Sequence, residues 1–122
     1  MPRIAFTLPV MPGKQEECIR LLKKYKADLD KAHKAVGCSQ WVKYITNGGE
    51  YFEFIDWKGA RSFRQLLEEY LARPEMAAFL KEIGPHVVLP TAPPGKNQND
   101  LTAQFIEGCA FSQAYHLAEP PA

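Results

Sequence analysis

The sequence has 122 residues, the length of one domain, and its 46% hydrophobic and 24% charged residues are typical of a globular protein. Its net charge of +1 argues against a general nucleic-acid binder, because such proteins usually carry a basic excess on one face. We find no apolar run long enough to span a membrane and no secretory signal, so we expect a cytoplasmic protein with no membrane partner.

The first predicted elements are a strand and a long helix. Hydrophobic residues alternate from Ile4 to Val10, which indicates a strand that ends at the Pro-Gly break over 11–13. From residue 14 to 36 the apolar residues recur every three or four positions, which predicts one amphipathic helix of about six turns. His33 lies outside that apolar stripe, so we expect it on the surface.

The next segment predicts a β-hairpin. Residues 38–47 and 50–57 are rich in aromatic and β-branched residues, as strands are. Gly48 and Gly49 between them indicate a two-residue turn. Helical patterns follow over 60–73 and, after Pro74, over 76–83.

The remainder contains a connector and a last strand. We expect a Pro-rich, polar connector over 91–109, in which residues 101–109 show no clear pattern. A strand over 110–117 and a flexible tail over 118–122 complete a single domain, 1–122. The order β-α-β-β-α-(α)-β predicts a ferredoxin-like α+β fold, with a four-stranded antiparallel sheet, helices on one face and the other face bare.

A two-residue turn would place alternate hairpin residues on one sheet face. That set mixes aromatic and hydrogen-bonding side chains, as binding cavities do, and it comprises Gln40, Val42, Tyr44, Thr46, Tyr51, Glu53, Ile55 and Trp57. The opposite set, Trp41, Ile45, Phe52 and Phe54, suits packing against the helices, with Lys43 and Asp56 at its margin.

Glu53 is the leading candidate for catalysis. A carboxylate among aromatic residues is partly desolvated, which suits a general acid or base. Tyr51 is a candidate oxyanion donor, His116 a candidate proton shuttle, and His86 a candidate for the mouth of the cavity. The alternative for each is structural: a carboxylate hydrogen-bonded at the sheet edge, a tyrosine in a wall, a histidine on a loop. Which face of the last strand carries His116 is left open.

No cofactor or metal site is indicated. The sequence lacks the GxGxxG, P-loop, GxSxG and HExxH motifs. Its three cysteines form no CxxC pair, and no histidine stands at metal-ligand spacing from them. Any chemistry would therefore depend on the reactivity of the substrate and on proton transfer.

Several segments together resemble the tetracenomycin-type cyclases of aromatic polyketide biosynthesis, within the dimeric α+β barrel superfamily. The segments that carry the resemblance are Met11-Pro12-Gly13, Val36-Gly37, the strand from Tyr51 to Asp56, the helix start at Arg73-Pro74-Glu75-Met76, and the aromatic strand from Phe111 to His116. The resemblance implies a homodimer in which two sheets form a barrel around a polyketide-like ligand. Two departures are Glu53, where the family carries a histidine, and a less basic second strand.

Three functional hypotheses follow. The first is a polyketide cyclase-like enzyme that folds and cyclises or aromatises a reactive intermediate by acid-base catalysis. The second is a cofactor-independent monooxygenase of the same superfamily, acting on a phenol or anthrone and consuming oxygen. The third is a non-catalytic binding protein for a hydrophobic metabolite, in which Glu53 would be dispensable.

Overall fold

An antiparallel sheet and five helices make up the part of the chain, residues 3–111, that the computed structural model describes. The elements in chain order are β1 (Arg3–Pro9), α1 (Gln15–Lys24), α2 (Lys26–Ala35), β2 (Cys38–Ile45), β3 (Glu50–Trp57), α3 (Phe63–Leu71), α4 (Pro74–Ile83), α5 (Gln98–Cys109) and β4 (Ala110–Phe111). A short 3-10 turn, Gly84–His86, follows α4. The order of elements thus agrees with an α+β fold of the ferredoxin-like type.

The sheet has the strand order β2-β3-β1-β4, and its three long strands are β1, β2 and β3. β4 has two residues, which pair with Ala5 and Phe6 of β1. The rest of the strand expected over 110–117 and the tail over 118–122 lie outside the described residues. A full-length fourth strand therefore stays a prediction.

The helices cover one face of the sheet. Phe6 and Leu8 of β1 and Ile55 and Trp57 of β3 are all buried on that face. They pack with apolar side chains of every helix, including Leu21, Leu29, Leu66, Phe79 and Ile106. On the other face, Val42 and Tyr44 are each 47% exposed.

Local signals explain where the later helices begin. Ser62 and Gln65 form a reciprocal capping box at the start of α3, which satisfies two backbone N–H groups that the helix itself cannot. Pro74 is the first residue of α4, a position that needs no N–H donor. The Asn97 side chain accepts the backbone N–H of Asp100 at the start of α5.

Three expectations for the helices and the connector were wrong. The helix predicted over 14–36 is divided at Tyr25, whose φ of −98° and ψ of 8° are not helical. His33 is 1% exposed rather than on the surface, and it lies on the buried side of α2 with Leu29 and Ala32. The connector expected over 91–109 is irregular only in its first part, because α5 occupies the second.

The hairpin register also differs from the prediction by one residue. Lys43 is directly opposite Glu53, and Ile45 is opposite Tyr51. The loop has three residues, Asn47 to Gly49, and Gly49 adopts the left-handed conformation with φ +79°. A one-residue shift exchanges the two faces of a strand, so β3 presents Tyr51 and Glu53 to the helices and its even-numbered residues to the other side.

The longest helix among residues 3–111 is α5, with twelve residues, and no helix of this part of the chain is long and apolar enough to cross a bilayer.

Candidate functional site

A buried ion pair lies on the helix-covered sheet face, between the edge strand β2 and its neighbour β3. Lys43 of β2 and Glu53 of β3 are directly opposed, and 2.5 Å separates Nζ from Oε1. Their side chains are 7% and 3% exposed. The hydroxyl of Tyr51 donates a hydrogen bond of 2.6 Å to the same Glu53 oxygen. Removing two charges from water costs several kcal/mol per ion, so burial of this pair lowers the stability of the fold. Buried charges of this kind are typical of functional sites.

The protonation states follow from burial and from the neighbouring charge. Burial lowers the pKa of the Lys43 ammonium, while the adjacent Glu53 carboxylate acts in the opposite direction. Burial, and then the negative charge of Glu53, raise the pKa of Tyr51 well above its ordinary value. Tyr51 is therefore a neutral hydroxyl that donates to a carboxylate.

Tyr70 of α3 covers the ion pair. The Lys43 Nζ lies 5.1 Å from the centre of the Tyr70 ring, a distance typical of a cation–π contact. Burial raises the pKa of Tyr70 well above its ordinary value, and the Glu53 charge acts in the same direction. The Tyr70 hydroxyl is buried and has no hydrogen-bond partner within residues 3–111. A hydroxyl in this state is a donor available to a ligand.

His33 of α2 stacks with the aromatic rings of Tyr70 and Trp41. Its ring centre lies 4.3 Å from that of Tyr70 and 5.2 Å from that of Trp41. Burial, with a contribution from the Lys43 charge, lowers the pKa of His33 to about 2. Its Nδ1 lies 3.4 Å from the Sγ of Cys38, a thiol whose pKa burial raises to about 11. Both groups are neutral near pH 7, which suits packing rather than proton transfer or nucleophilic attack.

A cavity of about 40 Å³ lies between the sheet and helices α3, α4 and α5. Its polar lining residues are Glu53, Tyr51, Tyr70 and Thr102. The other lining residues are apolar: Phe6, Leu8, Leu67, Leu71, Met76, Phe79, Leu80, Ile83, Val87, Leu89 and Ile106. A space of this size holds a few water molecules. Together, a buried carboxylate, a free tyrosine hydroxyl and apolar walls can support acid-base chemistry on an apolar substrate.

The structure brings together only some of the predicted site residues. Glu53 and Tyr51 both line the cavity. Ile55 and Trp57 are buried on the same face but belong to the hydrophobic core. His86 is half-buried in the 3-10 turn and is absent from the cavity lining.

The remaining predicted site residues lie elsewhere. Gln40, Val42 and Tyr44 are exposed on the opposite sheet face, and Thr46 is at the hairpin loop. The prediction that they share a face with Glu53 was wrong, because it depended on the two-residue turn. His116 lies outside the described residues.

Lys43 and Tyr70 are the site residues that sequence reasoning missed. Lys43 was the one positively charged residue in the set predicted to face the helices. A charged residue at a position that faces the core indicates a buried ion pair. Tyr70 belongs to the apolar stripe of its helix, and nothing in the sequence distinguishes it from a core residue. Within residues 3–111, no group of three or more His, Cys, Asp or Glu side chains is placed to hold a metal ion.

Comparisons with known proteins support the fold. No family model matches the sequence, and no curated protein is significantly similar to it. A solved structure described as an antibiotic biosynthesis monooxygenase superposes with a TM-score of 0.53 at 17% identity, over 77% of this chain and 100% of that one. Tetracenomycin F2 cyclase from Streptomyces glaucescens, described as a type-II polyketide cyclase, has a TM-score of 0.54 at 14% identity, over 83% and 90%.

A conserved protein from Methanosarcina mazei Go1 is equally similar, with a TM-score of 0.53 at 16% identity, over 74% of this chain and 84% of that one. Identities this low establish a shared fold and leave the activity open. The chain therefore shares the α+β fold of these solved structures, which include an antibiotic biosynthesis monooxygenase and a polyketide cyclase. Membership of the cyclase family itself stays a prediction.

Proposed function

We propose that the protein is an enzyme that cyclises or aromatises a reactive polyketide, or a related natural-product intermediate, by acid-base catalysis without a cofactor. The observation that carries this proposal is the Glu53 carboxylate, buried beside an apolar cavity and held by two donors, Lys43 and Tyr51. Structural cores seldom contain such a charged group, whereas active sites often do.

Each side chain has a role in the proposed reaction. Glu53 removes a proton from an activated methylene of the substrate, and the electron pair moves onto the adjacent carbonyl oxygen. The Tyr70 hydroxyl donates to that oxygen, and the positive charge of Lys43 stabilises the developing anion. The enolate carbon then attacks a second carbonyl of the same chain, a ring closes, and Glu53 returns its proton before water is lost. The apolar walls hold the flexible chain in one folded arrangement.

A polycyclic product is larger than the cavity of about 40 Å³, so the proposal includes an opening of its wall. Leu80 and Leu89 line the cavity and are both half-buried, which marks where it approaches the surface. Small changes in rotamer and in the segment that follows α4 would enlarge the space there.

The test compares wild-type protein with Glu53→Gln and with Glu50→Gln, an exposed glutamate at the start of the same strand. The substrates are a panel of poly-β-ketones, polycyclic phenols and anthrones, followed by absorbance. Glu53→Gln should lower turnover by about 10²- to 10⁴-fold, and Glu50→Gln should leave it unchanged. Equal turnover in the three proteins would refute the proposed role of Glu53, and turnover no faster than without protein would favour a non-catalytic binding protein.

Oxygen uptake, measured in the same reactions, separates the proposed cyclase from a cofactor-independent monooxygenase. Product formation without oxygen uptake is expected. Uptake of one oxygen molecule per molecule of product would mean that the same site catalyses a monooxygenation rather than a cyclisation.

We also propose that the protein is a homodimer, as the sequence resemblance to the dimeric α+β barrel proteins implies. Val42 and Tyr44 are apolar and exposed on the sheet face away from the helices, and half-buried Phe52 and Phe54 extend this surface. An exposed apolar face of this kind favours association. The solution mass should be twice 13.8 kDa, and Val42→Lys should shift it to the monomer.

A further inference from the structure

A second depression, here called the lysine groove, lies between helices α1 and α2 and the edge strand β2. Its volume is about 430 Å³, within the range of small-molecule sites. Its apolar walls include Leu22 of α1, Leu29 of α2, and Trp41 and Ile45 of β2. Unlike the cavity described above, the groove is already large enough for a ring system of two or three fused rings.

The groove has an excess of positive charge. Three lysines, Lys23, Lys26 and Lys43, line it, and Asp30 is its single acidic lining residue. Asp30 is already engaged, because the Trp41 indole N–H donates to it at 2.7 Å and Lys26 pairs with it at 2.9 Å. Asp30 balances the charge of Lys26, and Glu53 balances that of Lys43, so the net positive charge of the groove comes from Lys23. This charge favours an anion, and the aromatic and aliphatic walls favour a flat apolar body.

Lys43 connects the groove to the buried cavity. Its side chain lines the groove, while its Nζ pairs with Glu53, which lines the cavity. The ion pair thus forms part of the wall between the two spaces. An anion in the groove would compete with Glu53 for the positive charge of Lys43.

We propose that the lysine groove is a binding site for aromatic carboxylates. The ring lies against Trp41, Leu22 and Ile45, and the carboxylate is held near Lys23 and Lys26. The identification of this anion with the substrate, or with its acidic end, rests on the proposed function. Binding of aromatic carboxylates in the groove is independent of the proposed function. A poly-β-ketone ending in a carboxylate has both the anionic end and the apolar body that the groove fits.

The test is a pair of probes with the same ring and opposite charge, 2-naphthoate and 2-naphthylmethylammonium. Binding is followed by calorimetry and by quenching of tryptophan fluorescence, with Trp41→Phe to assign the signal, since Trp57 is only 2% exposed. 2-Naphthoate should bind at least about tenfold more tightly than the ammonium probe. Added salt should weaken its binding.

The double variant Lys23→Gln/Lys26→Gln removes two exposed charges and should lower 2-naphthoate affinity by about three- to tenfold. Lys81→Gln, an exposed lysine of α4 outside the groove, is the matched control and should change nothing. Equal affinity for the two probes, or an unchanged affinity in the double variant, would overturn the assignment.

Glu53→Gln separates this inference from the proposed function. It should bind 2-naphthoate at least as tightly as wild type, because Lys43 loses its competing partner. If Glu53→Gln abolishes turnover while 2-naphthoate fails to bind the wild type, the assignment of the lysine groove as a binding site is wrong and the proposed function stands. If 2-naphthoate binds as expected while Glu53→Gln keeps full turnover, the proposed function is wrong and the groove stands.

Discussion

Lys43 and Glu53 face each other across β2 and β3, with 2.5 Å between Nζ and Oε1 and with Tyr51 hydrogen-bonded to the same oxygen. The three groups are fixed by adjacent strands, so their spacing is set by the sheet rather than by flexible loops. Such rigidity is what a preorganised acid-base site requires. Loss of either side chain should therefore be costly, because the remaining charge is buried and cannot be solvated by water.

The first prediction concerns the pair itself. Lys43→Met leaves the Glu53 charge buried with only Tyr51 as a partner, and it should lower the free energy of unfolding by about 3 to 5 kcal/mol. The double variant Lys43→Met/Glu53→Leu removes both charges and should recover most of that loss. Urea denaturation of the two variants and wild type provides the measurement. Additive losses in the double variant would mean that the two side chains do not interact.

The second prediction contrasts two tyrosines of the cavity. Tyr51→Phe removes a hydrogen bond to a charged acceptor and should cost about 1.5 to 3 kcal/mol of stability. Tyr70→Phe removes a hydroxyl without a partner in residues 3–111, so stability should be unchanged or about 1 kcal/mol higher. Turnover of Tyr70→Phe should nevertheless fall by about 10²-fold, as for an oxyanion donor. An active Tyr70→Phe would remove this residue from the proposed mechanism.

The third prediction is a pH dependence of stability due to His33. Its pKa in the folded protein is about 2, below the ordinary value of 6.5. Between these values the unfolded chain binds the proton and the folded protein does not, so stability falls as the pH falls below 6.5. Near pH 5 the loss should be about 2 kcal/mol relative to neutral pH.

His33→Phe keeps an aromatic ring in the stack and should abolish most of this slope. His86→Gln, at a half-buried position, serves as the control and should preserve it. Thermal unfolding at a series of pH values gives the comparison. A slope that survives in His33→Phe would assign the acid sensitivity to other groups.

The fourth prediction tests the hairpin loop with two adjacent glycines. Gly49 has φ +79°, and a Cβ there would lie 3.0 Å from the Nε2 of Gln15. Gly49→Ala should therefore cost about 1 to 2 kcal/mol. Gly48 has no positive φ and its nearest neighbour is 3.6 Å away, so Gly48→Ala should change stability by less than about 0.5 kcal/mol. Similar losses at both positions would contradict the three-residue loop.

Much of the fold was predictable because its signals are local. Alternation in β1, the aromatic hairpin strands, and Pro74 at the start of a helix each depend on residues close together in the sequence. α5 was missed because its apolar pattern is weak. Asn97, three residues before Asp100, was nevertheless a helix-start signal that could have been recognised.

The site was less predictable because it depends on register. Two glycines suggested a two-residue turn, whereas the loop includes Asn47 and uses only Gly49 in the left-handed conformation. Three-residue loops of this kind are also common in hairpins, and the choice between the two loop lengths decides which face carries Glu53. The contact of Tyr70 with Lys43 depends on how α3 packs on the sheet, which no local pattern specifies.

The buried Lys43–Glu53 pair has a further consequence for how the protein responds to heat. The free energy of hydrating charged groups becomes less favourable as temperature rises, so the penalty for burying this pair shrinks on warming. The pair is therefore most destabilising in the cold and least so near the melting temperature. The stability of the Lys43→Met/Glu53→Leu protein relative to wild type should therefore be most favourable at low temperature and should decline as the sample is heated.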